Sequence, residues 1–84
     1  MVEVHVSTLG RGVRGGIYGV SIDEGEKIRE YVTVQAKKIR GRRWNLKFMY
    51  SDGRVREEEV YAAGKREIPR IIRSMVKREV EKHA

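Results

Sequence analysis

Between Arg43 and Tyr50 apolar and polar side chains alternate without a break. Trp44, Leu46, Phe48 and Tyr50 share one parity; Arg43, Asn45, Lys47 and Met49 share the other. A period of two belongs to a strand with one covered face, because successive Cβ atoms point to opposite sides of a pleated backbone. The run ends at Ser51-Asp52-Gly53-Arg54, and Asp-Gly between two extended segments signals a hairpin turn. The Trp44 parity is assigned to the core and the Arg43 parity to a surface open to a ligand.

The rest of the chain is read outward from this hairpin. Val2, Val4 and Val6 alternate with Glu3, His5 and Ser7 and predict a first strand. Leu9–Gly16 holds four glycines and two arginines and reads as a flexible loop. It contains a formal G-x-G-x-x-G over residues 10–15, but a nucleotide-binding fingerprint needs a helix next, and Ile17–Ile22 predicts another strand. The glycines therefore read as a hairpin loop whose Arg11 and Arg14 can touch phosphates. Asp23–Lys27 is a turn, followed by an extended segment from Ile28 to about Ile39. Ile28, Val32, Val34 and Ala36 are placed on its core face, with Tyr31, Thr33, Gln35 and Lys37 opposite. Arg40-Gly41-Arg42 makes a tight connection into the hairpin.

The strand from Val55 to about Tyr61 carries Glu57, Glu58 and Glu59 in a row, so at least one acid falls on the face that would otherwise be buried. A bulge or an exposed edge strand accommodates this, with the glutamates pairing to Lys47 or Arg43 across the ladder. From about Glu67 the period changes. Ile68, Ile71, Ile72, Met75, Val76 and Val80 recur at spacings of three and four, and Pro69 fits the first turn of a helix. That stripe caps one open face of the sheet or forms a homodimer seam.

These segments make one domain over residues 1–84: strand and Gly-rich loop over 1–16, sheet over 17–62, helix over 65–83. The expected class is α+β, a bent antiparallel sheet or small barrel of four to five strands with one C-terminal helix. The absence of Cys excludes disulfides and thiolate zinc sites, and His5 and His83 lie too far apart in sequence for a metal-ligand spacing. No metal or cofactor is expected. An enzyme is the least favoured class, since His5 and Ser7 share a strand face without an acid partner or oxyanion device. With no apolar run near the roughly 20 residues of a membrane span, and an opening MVEVHVST unlike a signal peptide, a cytoplasmic protein is expected. Charged residues make up 37% of the chain while Asn and Gln occur once each, a bias that fits a thermophile.

The charge is not spread evenly. Residues 37–56 hold eight Lys/Arg (Lys37, Lys38, Arg40, Arg42, Arg43, Lys47, Arg54, Arg56) and one acid, Asp52, so their net +7 equals that of the whole chain. A concentrated positive field interleaved with Trp44, Phe48 and Tyr50 points to nucleic acid. The expected site is Tyr31, Lys37, Lys38, Ile39, Arg40, Arg42, Arg43, Trp44, Lys47, Arg54 and Arg56, with Arg11 and Arg14 from the loop. Trp44 has two readings: a core residue by alternation, or a half-covered indole beside Arg42 and Arg43 that stacks on a base.

From about residue 17 the chain resembles the small archaeal chromatin proteins with an SH3-like barrel. The resemblance rests on Lys37-Lys38-Ile39, a short glycine-containing turn, LKFMYSDG over Leu46–Gly53, and EIPRIIRSMVKR over Glu67–Arg78. It implies a sheet laid on a duplex minor groove through Lys37, Ile39, Arg43, Lys47, Arg54 and Arg56, with Trp44 at a wedge position. The glutamate run and residues 1–16 depart from that pattern. EYVTVQAKKIRGRRWNLKFMYSDG, followed by a strand and helix, is also similar to the PUR and Whirly-like single-strand binders, which implies a curved sheet, a helix-mediated dimer and exposed aromatics stacked on bases. Non-sequence-specific DNA binding of the chromatin or architectural type is the leading expectation. Its alternatives are single-stranded DNA or RNA binding and, from another class, a structural subunit of a ribonucleoprotein or virion complex.

Overall fold

Five antiparallel strands and one helix follow one another in the computed structural model, which describes residues 2–82. The strands are β1 (Glu3–Gly12), β2 (Gly15–Asp23), β3 (Ile28–Arg40), β4 (Arg43–Tyr50) and β5 (Val55–Tyr61). A 3-10 turn over Lys65–Glu67 leads into α1 (Ile68–Lys82), and residue 83 of the expected helix lies outside the described residues. The strands pair in chain order, β1-β2-β3-β4-β5, so β1 and β5 are the two edges of an open sheet. The bent-sheet expectation holds and the closed barrel does not form. The apolar face is covered by α1 rather than by closing β1 onto β5.

The alternation over Arg43–Tyr50 is realised without exception: Trp44, Leu46, Phe48 and Tyr50 are buried and their neighbours are not. They meet Tyr18, Val20, Val32, Val34 and Ala36 of the same sheet face, with Ile68, Ile72 and Val76 of α1 on the other side of the core. Those three helix residues are wholly inaccessible to solvent, each contributing roughly 1.5–3 kcal/mol by burial. Ile71, Met75 and Val80 pack at the margin. The apolar stripe is thus engaged by the chain's own sheet, the first of its two expected roles.

Three one-residue bulges shape the sheet. The registers slip between Thr8 and Gly10, between Val32 and Glu30, and between Lys38 and Arg40, leaving Leu9, Tyr31 and Ile39 as the extra residues. A bulge bends its strand and reverses the parity of everything beyond it. This corrects two assignments on β3. Ile28, expected in the core, is 69% exposed, and Tyr31, expected on the ligand face, turns toward the helix. The glutamate run needs no bulge, because the β4–β5 register is unbroken. Only Glu58 faces the helix side, half-buried, and β5 is an edge.

The Gly-rich segment is also more regular than expected. Only Val13 and Arg14 form a turn; Gly10 and Gly12 extend β1, and Gly15 and Gly16 open β2. Gly41, with φ of +58°, supplies the left-handed backbone that the short β3–β4 connection requires.

Candidate nucleic-acid interface

Strand pairing draws three separate segments to one end of the sheet. Gly15 lies opposite Lys37, Arg40 opposite Arg43, and Arg43 opposite Tyr61. The Lys38 amide donates to the Arg14 carbonyl at 2.8 Å, and the Ala62 amide to the Arg42 carbonyl at 2.9 Å. The Lys65 ammonium donates to the Gly12 carbonyl, tying the chain after β5 back to the first hairpin. Residues 10–16, 36–43 and 59–65 thereby form one basic end.

Those three segments hold eight cations, Arg11, Arg14, Lys37, Lys38, Arg40, Arg42, Arg43 and Lys65, against one acid, Glu59; just beyond them Arg66 and Glu67 cancel, the Glu67 carboxylate accepting from the Ala63 amide at 2.8 Å. The remaining residues carry eleven cations and eleven acids. The whole formal excess of +7 therefore sits at one end of a molecule whose long axis is 40 Å. Among the described residues, Arg11, Arg14, Lys37, Lys38, Arg40 and Arg42 make no ion pair. All but Lys38 are exposed, and Lys38 is half-buried. Arg43 is the exception. Its Nε donates to Glu59 at 2.8 Å, and this hydrogen bond pushes the guanidinium pKa still higher.

The other expected site residues are dispersed. Lys47 stands mid-strand on the uncovered face, opposite Glu57. Ile39, the bulge residue of β3, is 43% exposed between Lys38 and Arg40. Arg54 lies beyond the far end of β4, bonded to Asp52 at 2.8 Å and stacked 4.7 Å from the Tyr50 ring centre. The Arg54 backbone N–H, with its guanidinium, holds the Asp52 carboxyl below the usual range.

Arg56 pairs with Phe48 across the ladder and so lies on the helix face. Its guanidinium sits over the Phe48 ring and donates to Glu79 at 3.2 Å. Tyr31 and Tyr50 donate to the same carboxylate at 2.9 and 2.8 Å. Tyr31, Arg54 and Arg56 therefore stand apart from the basic end.

Trp44 is resolved in favour of the core. It is 2% exposed, and its indole N–H reaches the Ala62 carbonyl at 3.3 Å. An indole so placed neither stacks on a base nor wedges a step.

Three features of the basic end were not read from the sequence. Lys65 arrives through the crossing after β5, which has no local signal. Tyr61, 70% exposed, is the aromatic residue that this end presents to solvent. The Asp-Gly turn held the clue, since an unbroken register from Met49 opposite Val55 places Tyr61 opposite Arg43 on the uncovered face. The third is a shallow groove of about 380 Å³ between the two hairpins, bounded by Arg11, Arg14 and Lys37.

No helix is long and apolar enough to cross a membrane among the described residues. Comparisons with protein-family models, with curated proteins and with solved structures found no match to this chain.

Proposed function

We propose that this protein binds nucleic acid without sequence preference, duplex DNA foremost, through the basic end of its sheet. One observation carries the reading: the entire charge excess gathers where three chain segments converge, and six of its cations have no acidic partner among the described residues. Surface cations without partners are positioned to neutralise phosphates and release condensed counterions. Phosphate contacts of this kind fix position and carry no sequence information. The role is that of a small architectural protein acting on DNA in the cytoplasm or nucleoid.

A salt titration tests it. With about five to seven phosphates neutralised, log K falls against log salt with a slope of roughly −4.5 to −6. Replacing Arg14, Arg40 and Arg42 with Ala flattens the slope by up to about three units. An unchanged slope in a folded triple variant places the contact elsewhere on the surface.

A second reading, single-stranded DNA or RNA, is favoured by Tyr61 alone, an exposed ring opposite Arg43. Competition among duplex DNA, single-stranded DNA and structured RNA at matched salt ranks the two.

A further inference from the structure

The cations of α1 are not scattered over its outer surface. Arg70, Arg73 and Lys77 follow at spacings of three and four, which at about 100° per residue keeps them on one ridge roughly 60° wide. Arg66, in the turn before the helix, leads into it. All four are exposed, and among the described residues none is in an ion pair. Two neighbouring acids are committed elsewhere: Glu67 accepts from the Ala63 amide, and Glu79 from Tyr31, Tyr50 and Arg56. Like charges three and four residues apart on a helix repel and cost it stability. An anion lying along the ridge removes that cost.

The ridge is one wall of a groove whose other wall is the open edge of β1. Arg66, Arg70 and Arg73 stand across from Val4–Ser7 around about 500 Å³ of space, and Arg73 and Lys77 continue the groove past Val4 toward Val2. Arg73 is fixed there. Its Nε donates to the Val4 carbonyl at 3.1 Å, which leaves the two terminal nitrogens of the guanidinium for a ligand. One end of the groove leads to the basic end of the sheet. Lys65, next to Arg66, donates to the Gly12 carbonyl, and Arg11 pairs with Gly16 on the strand face shared with Tyr18, the face toward α1. The other end is bordered beyond Lys77 by Glu3 and Glu81, which close it to anions. The rise from Lys65 to Lys77, at about 1.5 Å per residue, is roughly 18 Å, the axial length of about five base pairs.

We propose that this groove is a second stretch of the nucleic-acid site, in which the phosphate backbone held at the basic end continues beside the β1 edge over Arg66, Arg70, Arg73 and Lys77. This rests on the nucleic-acid reading above and adds the direction in which the ligand runs. Charge sets the chemistry of the occupant: cations recur once per helical turn without acids between them, and a polyanion of regular charge spacing matches that row. Continuity with Lys65 and Arg11 makes it the same polyanion that the basic end holds.

The test compares two full-chain variants that each remove two cations from α1. One is Arg70→Gln with Lys77→Gln on the ridge; the other is Arg78→Gln with Lys82→Gln on the opposite flank, which faces Arg54 and Glu58. Arg73 is kept because it ties α1 to β1. Binding to a labelled 20-base-pair duplex is followed by anisotropy across a salt series, and melting temperature is measured alongside. The ridge variant is expected to flatten the plot of log K against log salt by about 1.5 to 2 units and to bind roughly 10- to 30-fold more weakly at physiological salt. It melts at or slightly above the wild-type temperature, because Gln suits a helix and the repulsion along the ridge is gone. The flank variant keeps the wild-type slope within about half a unit. Equal losses from the two variants show diffuse attraction to net charge and overturn the second stretch. An unchanged slope in the ridge variant also overturns it, with the basic end left as the whole site. A wild-type chain that binds no duplex removes the nucleic-acid reading first and this extension with it.

Discussion

The two ends of the sheet carry similar side chains in opposite states. At the basic end arginines and lysines crowd together, and among the described residues Arg43, through Glu59, is the one of them in an ion pair. At the far end every arginine that the β2–β3 and β4–β5 connections bring there is matched: Arg29 with Glu24 at 3.0 Å, Arg54 with Asp52 at 2.8 Å and Arg56 with Glu79 at 3.2 Å. Glu3, His5 and Asp23 gather at that end too, with His5 Nε2 3.6 and 3.9 Å from the two carboxylates. A cation count along the sequence does not distinguish these states, because Arg42 and Arg54 belong to the same basic stretch. The hairpin separates them. The seven rises of β4 at about 3.4 Å each put roughly 24 Å between its ends, about three Debye lengths at physiological salt. Arg54 and Arg42 therefore cannot act on one phosphate cluster, however close they are in sequence.

Charge reversal probes that division most strongly. Converting Arg14, Arg40 and Arg42 to Glu removes three cations and adds three repulsive charges. Loss of six units of effective charge weakens duplex binding at physiological salt by roughly 10³- to 10⁴-fold. Converting Arg29 and Arg54 to Glu at the other end leaves the Kd within about fivefold, because screening isolates those positions. Equal losses from the two variants would falsify the assignment of the site to one end. Filter binding at 150 mM salt separates these outcomes.

The far end predicts a stability effect with no binding counterpart. Glu79, whose side chain is 15% exposed, accepts from Tyr31, Tyr50 and Arg56 and latches the last turns of α1 onto three strands. Glu79→Ala should cost about 2 kcal/mol, discounted for the solvent exposure of Arg56, and lower the melting temperature by about 8 to 16 °C. Arg56 Nε is already buried without a partner, so losing the carboxylate leaves that guanidinium worse off. Affinity for DNA in the folded protein should not change.

The same latch has a pH signature. Burial first, and the bond to Glu79 second, raise the Tyr31 and Tyr50 pKa values above their usual 10. A group whose folded pKa is raised stabilises the fold below its unfolded pKa and loses that contribution as pH climbs through the folded value. Melting temperatures should therefore fall above about pH 10, with a shallower fall in Tyr50→Phe. Identical alkaline slopes in the two proteins would remove Tyr50 from the latch.

How much of this was legible in the sequence depended on the distance over which each residue is decided. β4 and its turn were read correctly to the residue, because alternation and Asp-Gly are local signals. The helix stripe was equally clear, and Pro69 marked its first turn. Tyr31 and Ile28 were misplaced because one bulge reverses their parity, and nothing in EYVTV marks the extra residue. Trp44 stood between two readings until the Ala62 carbonyl and the helix were seen to cover it. The basic end was half visible: Lys37–Arg43 was evident, but its joining to Arg11, Arg14 and Lys65 depends on pairings across the sheet. Arg54 and Arg56 are close to Arg42 along the chain, but the length of β4 sets them at the opposite end of the sheet.

The smallest expected effect asks which of the two proposed ligands, duplex or single strand, the basic end favours. With Trp44 sealed in the core, Tyr61 is the aromatic residue this end offers to a base, 70% exposed and opposite Arg43 on the uncovered face. In a duplex the bases are already stacked on one another, and a side chain at the edge of the sheet meets only sugar and phosphate. In a single strand they are free to stack, and one base–tyrosine contact contributes about 1 to 3 kcal/mol. Tyr61→Ala should therefore weaken single-strand binding about 5- to 10-fold, near the lower bound because the ring lies at an edge, while duplex affinity stays within about twofold. An exposed ring contributes little to the core, so the melting temperature should hardly move. Trp44 serves as the internal control: its emission should be that of a buried indole and should not respond to either ligand. Loss of duplex and single-strand affinity in equal measure would make Tyr61 part of the phosphate surface. Loss of neither would leave the cations as the whole of the site, with no base read at all.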